Sequence, residues 1–172
     1  MLTLPVHTAT TFVLSRPHYP ENVGAAARAI KTMGFARLAL VRPGRLAVPE
    51  HEMALKMAVK ARDVLAATER HETLVDAVGH AGCVVATTSR RGVSGVQTPA
   101  DLAPELERMA AQGHSVAVVF GNEKTGLDDH ELALAHVCLR IPMAADQPSL
   151  NLAQAVQLVA YELFRAALAR RP

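Results

Sequence analysis

The chain has 172 residues and a mass of 18.4 kDa; 50% of it is hydrophobic and 20% charged, which excludes global disorder and suits one domain spanning residues 1–172. A net charge of +2 hides an asymmetry: residues 1–91 carry 12 Lys and Arg against 7 Asp and Glu, and residues 92–172 carry 6 against 9. Aromatics make up 3% with no Trp, which excludes an extensive base-stacking platform, and no apolar run reaches the roughly 18 residues of a membrane span.

In chain order, residues 1–15 lack Lys and Arg and make a poor secretory signal. The first strand is predicted at Thr10–Ser15. Val23, Ala26, Ala27, Ile30 and Met33 then recur at helical spacing over 21–33, with Gly34 as a stop. A strand follows at Arg37–Val41, a helix over 50–61 and a weak strand at Val64–Ala66. Next come a short helix over 72–80 and a strand at Cys83–Thr88. Pro104, Glu105 and Glu107 suggest a helix start, giving 104–112 with Gly113 beyond its end. Ser115–Phe120 and Val137–Ile141 read as strands flanking a short helix over 129–135. The longest helix is predicted over 149–169; Ala160, Phe164 and Leu168 give it a second apolar side suited to another subunit.

Continuous apolar strands alternating with helices predict an α/β domain whose mostly parallel sheet has helices on both faces. Cys83 and Cys138 lie in apolar runs and read as buried free thiols, consistent with a reducing cytoplasm. Ligands of such sheets bind beyond the strands' carboxyl ends, which selects Ser15–Gly24, Thr87–Pro99, Gly121–Asp129 and Pro142–Asn151.

Those segments lack the common fingerprints. No GxGxxG follows the first strand, and no GxSxG elbow occurs. Gly121 and Gly126 have P-loop spacing, but Leu127 and Asp128 stand where Lys and Ser/Thr are needed. The eight histidines show no metal-ligand spacing, so no metal is expected. What remains is polar and turn-borne. Glu123 lies in a Gly-bounded loop, Ser149 reads as the N-cap of the last helix, and Asn151 falls in its first turn. Arg28 stands near the small residues Gly24 and Ala25, which would leave its guanidinium open to a phosphate. Between Glu21 and Glu50 there is no acid, while Arg28, Lys31, Arg37, Arg42 and Arg45 all fall there, a pattern suited to a polyanion. Arg16, Arg28, Lys31, Arg90 and Arg91 are the candidate contacts to such a polyanion, and Tyr19 is the loop aromatic placed to stack on a base were that polyanion a nucleic acid.

Three segments in order resemble the motifs of the SpoU branch of the SPOUT RNA methyltransferases: Asn22–Gly34, Phe120–Leu127, and Ile141-Pro142 with Ser149–Val156. The similarity covers nearly the whole chain and is nearest to the TrmJ group, which methylates the ribose 2′-oxygen of tRNA nucleotide 32 in the anticodon loop. The resemblance implies a deep C-terminal trefoil knot, a homodimer and S-adenosylmethionine as cofactor. It places the cofactor at Ala86, Thr87, Thr88, Gly121, Asn122, Glu123, Gly126, Ile141, Ser149, Leu150 and Asn151. The family's catalytic arginine falls on Arg28, with Asn22, Glu123, Ser149 and Asn151 as polar companions. Glu21, Asn122 and the loop 90–96 depart from the TrmJ pattern, and the sequence ends at Pro172 without that group's C-terminal extension. These departures bear on the RNA target, so ribosomal RNA or another tRNA site is an alternative. A non-catalytic RNA-binding module on the same fold is the alternative of a different class.

Overall fold

A computed structural model of the chain describes residues 2–145 and 150–170. Seven strands form one sheet: β1 (Thr10–Ser15), β2 (Leu38–Val41), β3 (Glu69–His71), β4 (Cys83–Thr87), β5 (Val96–Gln97), β6 (Val116–Phe120) and β7 (Val137–Leu139). Their spatial order is β3-β2-β1-β6-β4-β7-β5, and every pairing is parallel. The helices are α1 (Pro5–Ala9), α2 (Pro20–Thr32), α3 (Glu52–Met57), α4 (Arg62–Ala66), α5 (Leu74–Val78), α6 (Pro99–Ala111), α7 (Asp129–Ala133) and α8 (Leu152–Ala169).

Burial on both faces explains the uninterrupted apolar strands. On one face Phe12, Leu14, Val85, Val118 and Phe120 pack with α2, α6 and α8. On the other, Val13, Ala39, Val84, Ala86, Ala117 and Val119 meet α5 and Leu127. Cys83 is buried on β4 and Cys138 half-buried on β7, both as free thiols. Gly24 is a packing glycine: a Cβ there would lie 2.0 Å from the Ala54 carbonyl oxygen, so α2 and α3 touch backbone to backbone. Its absent side chain therefore serves α3 and is not what leaves Arg28 open.

The predicted strand Val64–Ala66 is helical instead. Val64 and Leu65 are buried from α4, and the strand lies further on, at Glu69–His71. That strand is a sheet edge made of polar residues, so it carries no apolar signal. Helix α6 begins five residues before Pro104, because Thr98 caps it by accepting from the Asp101 amide at 3.2 Å and Pro99 occupies the first turn. Pro104 lies within the helix, where its missing N–H removes one backbone bond. Helix α8 starts at Leu152 with Asn151 as N-cap, not at residue 149; Ser149 lies outside the described residues. Its second apolar side is largely consumed inside the chain, since Ala160 is fully buried and Phe164 half-buried. The short elements α1 and β5 were too brief to leave a periodic trace.

Helix α1 carries a buried imidazole. His7 lies edge-on to Phe35, at 4.9 Å between ring centroids, and stacks with Phe164 at 5.9 Å. Its Nδ1 accepts from the Leu4 amide at 3.0 Å. Burial holds its pKa below the ordinary 6.5, so the unfolded chain binds a proton that the folded one resists. Stability conferred by the neutral ring is complete above the ordinary value and is lost as pH falls below it. Denaturant unfolding between about pH 8 and pH 5 should show this decline, and His7→Gln should flatten it.

Candidate functional site

The loop after β6 folds on itself. A Cβ on Gly121 would lie 2.3 Å from Gly126 C and Leu127 N, so only glycine lets the two ends of the loop close. The Gly126 amide donates to the Asn122 carbonyl at 2.8 Å, and Asn122 Oδ1 accepts from the Lys124 amide at 2.8 Å. Gly126 has φ +67° and faces open space.

Glu123 reaches across from this loop to the start of α2. Its Oε2 accepts from the His18 amide at 2.8 Å, and its Oε1 from the Tyr19 amide at 3.2 Å and Asn22 Nδ2 at 2.9 Å. The carboxylate thus answers the unpaired donors and positive dipole of a helix N-terminus. Asn22 is 7% exposed and passes the network on, its Oδ1 accepting from Asn151 Nδ2 at 2.9 Å. Asn151 Oδ1 in turn accepts from the Ala153 and Gln154 amides at 2.9 and 3.2 Å. Residues 22, 123 and 151, each from a different motif, therefore form one hydrogen-bonded chain. Both amides have a single workable orientation within it.

A second polar cluster holds the loop's other side. Arg16 has φ +51°; its carbonyl accepts from Asn122 Nδ2 at 2.6 Å, and its guanidinium donates to Glu131 Oε2 at 2.7 Å and to the Gly126 carbonyl at 3.3 Å. Glu131 is buried, accepts the Ser15 hydroxyl, and forms a capping box with Asp128 at the start of α7. The Glu131 amide, aided by Arg16, keeps the Asp128 carboxyl below the usual carboxylate range. Arg16, one of the expected phosphate contacts, has its guanidinium engaged by Glu131 and the Gly126 carbonyl.

Between these ties lies a cleft of ≈ 210 Å³ at the carboxyl ends of β4, β6 and β7. Of the expected cofactor positions, Thr87, Thr88, Gly121, Asn122, Glu123, Gly126, Ile141 and Leu150 line it. Ala86 does not; it is 1% exposed within the apolar core below the cleft. Asn151 borders a separate shallow groove, together with Arg28, Ala25, Thr32 and Gln154. Leu127, Leu139, Met143, Leu152 and Ala155 also line the cleft. Leu139, Leu152 and Ala155 fall within strand and helix patterns and read as core in the sequence, whereas Leu127 and Met143 fall in the loops selected as ligand-facing. One apolar wall, one polar wall and the open backbone at Gly126 suit a ligand with an apolar ring system and a polar tail, such as S-adenosylmethionine.

Arg28 is exposed, and among the described residues no partner engages its guanidinium. Lys31 pairs with Asp63 at 2.6 Å, and Arg90 with Asp129 at 2.6 Å. Arg91 is exposed in the loop after β4. Among the described residues no three His, Cys, Asp or Glu converge on a metal position, and no helix is long and apolar enough to cross a membrane.

The sequence model of the SpoU rRNA methylase family matches residues 9–161. This chain belongs to that family. It is 40% identical over 164 residues to the uncharacterised tRNA/rRNA methyltransferase LasT of Escherichia coli (strain K12), covering 94% of this chain and 70% of LasT. It is 39% identical over 164 residues to the tRNA (cytidine/uridine-2′-O-)-methyltransferase TrmJ of Photorhabdus laumondii, covering 92% of this chain and 65% of that protein. The crystal structure of TrmJ from Z. mobilis ZM4 superposes with a TM-score of 0.81 at 34% identity, over 95% of this chain and 71% of that one. The chain spans between 61% and 70% of the length of the curated relatives it matches.

Removing the middle member of the chain should be measurable without any substrate. Asn22→Ala leaves the Asn151 amide without its acceptor and should cost about 1–3 kcal/mol in urea unfolding. Asn22→Asp should cost more at neutral pH, because it sets a second carboxylate against Glu123. Equal stability of Asn22→Asp and the unaltered chain would contradict the network.

Proposed function

We propose that this chain is an S-adenosylmethionine-dependent RNA ribose 2′-O-methyltransferase acting in the cytoplasm on tRNA, at nucleotide 32 of the anticodon loop. The observation that carries this reading is the placement of Arg28, whose guanidinium no other described residue engages, beside Asn151, whose orientation is transmitted through Asn22 from Glu123 at the cleft. Family membership and the TrmJ relatives support the chemistry and the substrate class.

In the cleft, the loop Gly121–Gly126 with Thr87, Thr88, Ile141 and Leu150 would hold the cofactor, which supplies a methyl group on a sulfonium sulfur. Arg28 presents a planar, delocalised guanidinium cation. It therefore acts as a cation, holding the RNA phosphate and stabilising the negative charge that develops on the ribose 2′-oxygen as the hydroxyl proton passes to solvent water. Asn151, its side-chain amide already oriented through both Oδ1 and Nδ2, and Ser149 would position the hydroxyl. Glu123, with three donors on its oxygens, serves as an anchor. Lys31, Arg90 and Arg91 add phosphate contacts; the exposed pairs of Lys31 and Arg90 are weak enough to be exchanged for RNA.

The reading includes a trefoil knot and a homodimer. The interleaved strand order, with β7 between β4 and β5, and the convergence of the segments after β6 and β7 on one cleft support the knot. The exposed Leu158, Tyr161 and Leu168 of α8 support a second copy. Light scattering at low micromolar concentration should give twice the 18.4 kDa chain mass, and a monomer would refute the dimer.

Labelled S-adenosylmethionine offered with unmodified tRNA should place label in a 2′-O-methylated nucleoside of tRNA. Label confined to ribosomal RNA would keep the chemistry and discard the tRNA assignment. Arg28→Ala should lower turnover by about 10²–10³-fold while changing cofactor affinity only a few-fold, and Arg28→Lys should rescue poorly. Turnover by Arg28→Ala equal to that of the unaltered chain would end the assignment.

A further inference from the structure

The basic residues of the first half divide into two groups. Arg16 and Lys31, like Arg90 further on, already face carboxylates. Arg42 and Arg45 do not: both are exposed, and among the described residues no hydrogen bond or ion pair engages their guanidiniums. They lie on the loop after β2, beyond the same sheet edge that carries the cleft. Arg42 has φ +40°, and the Gly44 amide donates to the Pro17 carbonyl at 2.9 Å. A Cβ on Gly44 would lie 3.3 Å from that carbonyl and 3.6 Å from His18 Cα, so the loop packs directly on residues 17–18.

Those residues lead into an aromatic step. Tyr19 is 43% exposed, whereas Phe12, Phe35 and Phe120 are all in the core. Its ring meets the His18 ring edge-on at 4.7 Å between centroids, and its backbone is pinned by Glu123. Lys124, which lines the cleft, places Nζ 5.8 Å from the Tyr19 centroid and 3.5 Å from His18 Nε2. An exposed aromatic pair and a cation from the cleft wall thus form a ledge that adjoins the loop carrying Arg42 and Arg45.

We infer that this ledge is an RNA subsite, in which Tyr19 stacks on a nucleobase beside the target ribose and Arg42 and Arg45 hold the phosphates leading to it. An exposed π-face accepts any base, and guanidiniums match phosphate geometry. The identity of the polyanion rests on the RNA-methyltransferase reading above. The ledge adds a backbone track distinct from Lys31, Arg90 and Arg91. Tyr19 makes no side-chain cap for α2, so replacing it leaves the helix start and the Glu123 contacts in place.

The test measures binding of an unmodified tRNA transcript between 50 and 200 mM salt, with cofactor affinity and methyl transfer followed in parallel. The double variant Arg42→Ala/Arg45→Ala should reduce the slope of log Kd against log salt by about 1.4–1.8, two phosphates at 0.7–0.9 each. Tyr19→Ala should weaken RNA binding by about 5- to 100-fold, and Tyr19→Phe should restore it to within about twofold. Cofactor affinity should be unchanged in all three. An unchanged slope in the double variant, or equal binding by Tyr19→Ala and Tyr19→Phe, overturns the ledge while methyl transfer by the unaltered chain keeps the enzyme reading intact. An unaltered chain that neither binds nor methylates RNA overturns both.

Discussion

The site depends on the carboxylate of Glu123. Its two oxygens take three donors from the start of α2, two of them backbone amides and the third the side chain of Asn22. Charge-assisted bonds of this kind are roughly twice as strong as neutral ones. Because Asn22 gives its Nδ2 to Glu123, its Oδ1 is left to accept from Asn151, and Asn151 is left to cap α8 with its own oxygen. One ionised group thus sets the rotamer of an amide two links away, on a helix that begins 29 residues later in the chain. With three donors on its two oxygens, this carboxylate holds the start of α2 against the loop after β6.

The opposite flank of the same loop is held by different means. Arg16, in a left-handed backbone conformation, turns its carbonyl to Asn122 and its guanidinium to Glu131 and the Gly126 carbonyl. Loop 121–127 is therefore tied to α2 on one side and to α7 on the other. Its backbone shape is determined by the protein before any ligand arrives, which is the arrangement that orientation-dependent chemistry requires.

Much of this was legible in the residues, for identifiable reasons. Strands β1, β2, β4 and β6, buried on both faces, and the half-buried β7 announce themselves as apolar runs, and β1 matches its expected span. The edge strand β3, built from Glu69, Arg70 and His71, could not be seen that way, and the apolar Val64–Leu65 drew the expectation to a helix instead. Pro104 and Ser149 each resembled a helix start, but caps are decided by which side chain reaches the free amides, and Thr98 and Asn151 do so. The motif residues were found as a set. Their connection was not, because the bond between Asn22 and Asn151 links positions that only the tertiary fold brings together. The pairing of Arg16 was equally illegible, because its partner, Glu131, is 115 residues away.

The all-parallel strand order has a consequence for synthesis. Strand β1 ends at Ser15 and pairs on one side with β2, but its other neighbour, β6, begins only at Val116. At about 5–20 residues per second, the ribosome takes roughly 5–20 s to deliver it. Throughout that interval the nascent chain carries Phe12, Val13 and Leu14 on a strand with an open hydrogen-bonding edge. The period of greatest risk of misassociation therefore falls before β6 has left the exit tunnel, and holdase capture of the growing chain would be most useful there.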